Sequence, residues 1–179
     1  MRIDQRCIRQ TEAELRRREL ALQEAFTQRG RSESAWSAWK VAAERLRSYE
    51  SPVFELWSDE AREGILQGKG AWRESAILYV DLGPRFFRSG YLRDRLCHLL
   101  KQSDLSKQER SGVLKSLLTS LARRPSTGRF CHDCRLAGRW ADDEFTTRVR
   151  EISTHKDRWT GGRARRMLHA IEQDKRKRG

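Results

Sequence analysis

The chain has 179 residues, 35% of them charged and 37% hydrophobic, and a formal net charge of +13. That length suffices for one domain with a real core, and six Trp and six Phe exclude a chain disordered by composition. No apolar run approaches the roughly 18 residues that a membrane span needs, and residues 1–6 lack the apolar stretch of a secretion signal.

Residues 4–29 read as one long helix. Ile8, Leu15 and Leu22 fall seven apart, with Ala25 and Phe26 closing the stripe and Arg, Glu and Gln on the other faces. Arg16, Arg17 and Arg18 lie among glutamates, the pattern of a solvated face. Gly30 breaks the helix, and Ser32 or Ser34 caps a second one over 34–50 with Trp36, Trp39, Ala43, Leu46 and Tyr49 three or four apart. The two helices predict an N-terminal hairpin over residues 1–50 with a seam of coiled-coil type. Tryptophan at helical spacing is the usual mark of core, whereas an exposed pair would offer a protein-interaction surface.

Ser51-Pro52 ends the hairpin and opens a second helical region, 53–174. Residues 53–67 predict a helix with Ser58 as a cap. Gly68-Lys69-Gly70 follows; it lacks the first glycine of a phosphate-binding loop and has no strand before it. The run 77–80 has strand-like composition, but its flanks carry helical spacing, so 71–82 reads as a buried helix. After Gly83-Pro84 come a helix over 91–102 and another opened by Ser106 and Glu109, whose spacing is that of a capping box. That helix buries Val113, Leu114, Leu117, Leu118 and Leu121 and runs to Arg124. Residues 123–129 read as a basic turn. The chain continues with a helix over 130–140 and one capped by Asp142 or Asp143 through Ile152. Residues 157–163 read as a loop, followed by a last helix and a frayed basic tail, 175–179.

One pattern recurs: Arg95-Leu96-Cys97-His98, Arg129-Phe130-Cys131-His132 and Arg166-Met167-Leu168-His169, starting 34 and 37 residues apart. Helical hairpins stacked on their neighbours have that period. With its alternation of helices and short polar turns, the stretch 71–173 resembles HEAT-type helical repeats. The resemblance implies a concave or edge surface for a partner, and no chemistry. The fold class expected is all-α, a hairpin followed by a bundle or a short HEAT-like stack.

No catalytic constellation is recognisable, so an enzyme and a cofactor are not expected. Cys131-His132-Asp133-Cys134 carries two thiols at metal-ligand spacing, and Cys97 and His98 are the nearest candidates to complete a zinc site. No second such pair follows, and small cysteines in a helix contact explain the motif more simply. The four scattered cysteines make no disulfide framework, which fits a reducing cytoplasmic setting, or a nuclear one in a eukaryote. Asp142, Asp143 and Glu144 read as helix-capping residues rather than as ligands of a divalent ion.

Charge is the strongest functional lead. Residues 105–179 carry 19 Lys/Arg against 9 Asp/Glu, and therefore +10 of the +13. Arg123, Arg124 and Arg129 cluster in one predicted loop and Lys156, Arg158, Trp159, Arg163 and Arg165 around another, with Lys175, Arg176, Lys177 and Arg178 on the tail. Such a rim would contact phosphates without reading bases, with Trp159 as a stacking aromatic. The expected partner is DNA or RNA, within a larger protein assembly. The alternative is a helical scaffold that engages protein through Trp36 and Trp39 and touches no nucleic acid.

Overall fold

A computed structural model of the chain describes residues 2–122 and 130–178, the side chain of Arg178 excepted. Among the described residues the chain is all-helical. The helices are α1 (Gln5–Gln28), α2 (Glu33–Arg47), a 3-10 helix (Pro52–Trp57), α3 (Asp59–Gln67), α4 (Trp72–Leu82), α5 (Ser89–Gln102), α6 (Lys107–Ala122), α7 (Phe130–Trp140), α8 (Asp143–Ser153) and α9 (Arg158–Arg178).

Helix starts follow the capping chemistry of the sequence. Asp4 accepts from Cys7 N at 2.8 Å, Ser32 from Ala35 N at 3.1 Å and Asp142 from Phe145 N at 2.7 Å. Ser106 and Glu109 close the capping box in both directions, at 2.7 and 3.3 Å. The stretch 77–80 is helical, within α4. Three expectations need correction. The helix expected over 53–67 is interrupted at Ser58, which ends the 3-10 helix and caps α3 by accepting from Ala61 N at 3.0 Å. The loop expected at 157–163 is the opening of α9: Asp157 accepts from Thr160 N at 2.9 Å and from Thr160 Oγ1 at 2.7 Å. Gly161 is there for close approach rather than flexibility, since a Cβ would stand 3.1 Å from Ser153 O and 3.2 Å from His155 O. The tail expected to fray is helical through Arg178.

α1 and α2 pack on each other, α4 lies on α6, α5 on α7, and α9 fills the space beside both α7 and α8. One apolar cluster runs from Ile3, Ile8 and Leu15 through Tyr79, Leu96 and Leu117 to Met167 and Ile171. Packing continues across Ser51-Pro52, because Ser51 is buried and its hydroxyl lies 2.6 Å from Thr11 Oγ1 on α1. A polar knot ties the middle helices: Asp133 on α7, fully buried, accepts from Arg93 on α5 and, at 2.5 Å, from Ser120 on α6. No helix among the described residues is long and apolar enough to cross a membrane.

Candidate nucleic-acid interface

The described residues of the three copies fall on α5, α7 and α9, helices packed side by side. Between them opens a groove of about 510 Å³ lined by His98, Lys101, His132, Arg135, Arg139 and Asp174 over a floor at Cys97. On α5, His98 and Lys101 are three apart; on α7, His132, Arg135 and Arg139 are at i, i+3 and i+7. Both sets therefore share one helix face. Three Lys/Arg side chains and two imidazoles thus line the groove with one carboxylate, Asp174. His132 Nε2 also lies 3.9 Å from Asp94 Oδ2.

Arg139 stands on the ridge between this groove and a second concavity of about 950 Å³, which Lys107, Arg110, Lys115 and Arg148 line together with Asp104, Asp142 and Glu144. The Trp140 ring has guanidinium groups on it from Arg110 at 4.6 Å and Arg139 at 4.9 Å. Its indole N–H donates to Leu100 O at 3.1 Å, so the ring anchors the ridge to α5. A groove lined mainly by one sign of charge concentrates anions, and Arg forks suit phosphate oxygens.

The residues expected to bind polyanion separate into several groups. Arg123, Arg124 and Arg129 lie outside the described residues. Lys156 and Arg158 are exposed where α8 passes into α9, and Trp159 beside them is 64% exposed. Arg163 turns inward: half-buried, it donates to Leu121 O and lies 5.9 Å from the Phe130 ring. Arg165 donates to Ser153 O at 2.8 Å and so closes the end of α8. Lys175 pairs with Asp143 at 3.5 Å, both well exposed, and Arg176 and Lys177 are exposed on the last turns of α9.

Sequence reasoning missed Lys101, Arg135 and Arg139, although their spacing with His98 and His132 was a readable signal. What could not be read was that α5 and α7 turn those faces towards one another.

The cysteines expected as weak zinc candidates do not converge. Cys97, Cys131 and Cys134 form no disulfide, and the described residues contain no cluster of three or more His, Cys, Asp or Glu placed to hold a metal. Burial pushes the Cys97 and Cys134 thiols up to about 12, with Asp133 adding to the shift and Arg93 and Arg166 opposing it respectively. Both are protonated packing residues near neutral pH. A thiol whose folded pKa is raised stabilises the fold fully below its unfolded pKa, near 8.5, and loses that contribution as pH rises towards its folded value. Urea midpoints should therefore fall between about pH 9 and 12. The Cys97→Ala/Cys134→Ala variant should show a flatter fall; equal slopes would exclude these thiols as the cause.

Comparisons of the chain with protein-family models, curated proteins and solved structures give no significant match. The class defined by fold and site is an all-helical protein with a basic groove across three neighbouring helices.

Proposed function

We propose that this protein binds nucleic acid through the phosphate backbone, as a small accessory subunit of a nucleoprotein assembly, with α4–α9 forming a short HEAT-like stack. The observation that supports it best is the convergence of Lys101, Arg135 and Arg139 with two imidazoles in one groove. The concentration of charge in residues 105–179 and the exposed Lys156, Arg158 and Trp159 extend the same reading along the chain. Contacts of this kind position a strand without specifying bases, so sequence preference is weak and affinity is governed by counterion release.

The test is binding to labelled single- and double-stranded DNA and RNA across a salt series. Log K should fall linearly with log salt. The Lys101→Glu/Arg135→Glu/Arg139→Glu variant should bind about a hundredfold more weakly, with a salt slope shallower by about 2–3. None of these side chains is buried, so folding should be unaffected. Arg163 is unsuitable for such a reversal because its contact with Leu121 is structural. Full affinity in the triple variant would move binding off the groove. Absence of binding by the unmodified protein at low salt would leave the scaffold alternative, which the exposed Trp36 favours.

A further inference from the structure

On α1 the apolar stripe outruns the core it serves. Ile8 is 0% and Leu15 3% exposed, Leu22 is half-buried, and Phe26 is 50% exposed. The stripe on α2 does the same in reverse: Ala43 is buried, Leu46 and Trp39 are half-buried, and Trp36 is 42% exposed. Tryptophan spacing suggested core; the far ends of α1 and α2 instead carry their seam past the body of the protein. The third wall is the loop before α5. Glu12 accepts from Arg85 N at 2.8 Å and Glu19 from Phe87 N, so two carboxylates of α1 pin that loop and hold the Phe87 ring out in solvent. Together they enclose an open groove of about 900 Å³.

The groove is apolar inside: Leu15, Leu22, Ala43 and Leu46 fall at the i, i+3 and i+7 spacings of a helical seam, with the rings of Tyr49, Phe54 and Phe86 beside them. Its rim is aromatic and cationic. Arg29 lies over Phe26 at 3.4 Å and within 5.9 Å of the Trp39 ring, and Arg88 lies 5.1 Å from Phe87. Arg47 lines the wall and pairs with Glu44 of its own helix at 3.8 Å, both side chains well exposed. Glu19 is the one carboxylate lining the groove among the described residues, and its charge already serves the Phe87 N–H. Arg88 also sits at φ 66°, a left-handed conformation that a glycine would adopt at lower cost. The fold thus carries a strained arginine at the groove edge.

We propose that this groove receives an acidic amphipathic helix of a partner protein, completing a three-helix bundle with α1 and α2. The apolar interior takes the helix's apolar stripe, and Arg29, Arg47 and Arg88 face its carboxylates. A second copy of this chain is disfavoured, because it would bring a +13 molecule and another arginine rim against this one. A nucleic-acid strand could stack on the rings but would leave Leu15, Leu22, Ala43 and Leu46 unfilled, whereas a helix with an apolar stripe fills them. The inference is independent of the nucleic-acid reading and shares no residue with that groove.

The experiment uses the full chain and a labelled helical peptide of about 18 residues, with leucine at i, i+3, i+4 and i+7 and glutamate elsewhere. Two controls accompany it: the same composition with leucines scrambled, and the same pattern with lysine for glutamate. The patterned acidic peptide should bind at least about tenfold more tightly than either control by fluorescence anisotropy. Phe26→Ala/Phe87→Ala, which removes two exposed rings, should weaken it at least about tenfold. Arg88→Gly should weaken it while leaving Tm unchanged or higher, an outcome that a merely structural arginine would not give. Equal binding of all three peptides, no binding, or full affinity in the Phe26/Phe87 variant overturns the proposal. So does a dimer in light scattering that Phe26→Ala abolishes, or single-stranded RNA binding lost in the same variant.

Discussion

Asp133→Ala should destabilise the protein by about 3–5 kcal/mol, the usual cost of leaving one partner of a buried ion pair uncompensated. The carboxylate is fully buried and the Arg93 side chain is 12% exposed, so little water can replace what is lost. Burial by itself lowers the Arg93 pKa, yet the anionic neighbours, the Asp133 carboxylate among them, raise it on balance, and the guanidinium stays charged. Removing Asp133 also strands the Ser120 hydroxyl, whose bond at 2.5 Å joins α6 to the same point. Asp133→Asn should cost less, because an amide oxygen still accepts one of the two donors. The paired variant Arg93→Met/Asp133→Leu should be more stable than Asp133→Ala, because neither charge is then orphaned. Urea unfolding of the three variants decides it. A loss below about 1 kcal/mol for Asp133→Ala would show that this knot does not hold α5 to α7.

Gly64→Ala should cost about 2–3 kcal/mol, even though alanine is the better helix former by about 1 kcal/mol. A Cβ at Gly64 would lie 2.1 Å from Trp72 Cδ1 and 2.8 Å from Trp72 Cγ. Trp72 opens α4 and is buried, so its ring cannot swing aside into solvent without losing its packing. Helices α3 and α4 would have to separate, and with them the Arg73 side chain that closes α3 by donating to Ile65 O at 2.6 Å and Leu66 O at 2.9 Å. Gly64→Ala/Trp72→Leu should recover much of the loss, since leucine leaves room for the methyl. A Gly64→Ala variant more stable than the parent in chemical denaturation would falsify the close approach.

Particular elements show why some of this was legible beforehand. Capping is local chemistry, so Ser58 and Ser106 could be placed from two or three neighbouring residues, and two further caps could be narrowed to Ser32 or Ser34 and to Asp142 or Asp143, of which Ser32 and Asp142 cap. The loop reading of residues 157–163, which include Gly161-Gly162, failed for the same reason in reverse. Glycine pairs signal flexibility in a chain read alone, whereas at Gly161 the neighbouring backbone of α8 approaches too closely for a side chain. Arg163 misled likewise: a sequence shows that a residue is basic, and only packing shows that the charge is turned inward to Leu121 O.

Helical class, most helix starts and the imbalance of charge are properties of short windows, and the sequence determined them by itself. Tertiary structure decided which faces meet. It brought His98 and Lys101 on α5 opposite His132, Arg135 and Arg139 on α7, and it ended the body of the protein partway along α1. The physical reason is one of range. Propensity, capping and periodicity act within a few residues, whereas a groove is made by side chains about 35 positions apart, whose meeting depends on how every helix between them packs.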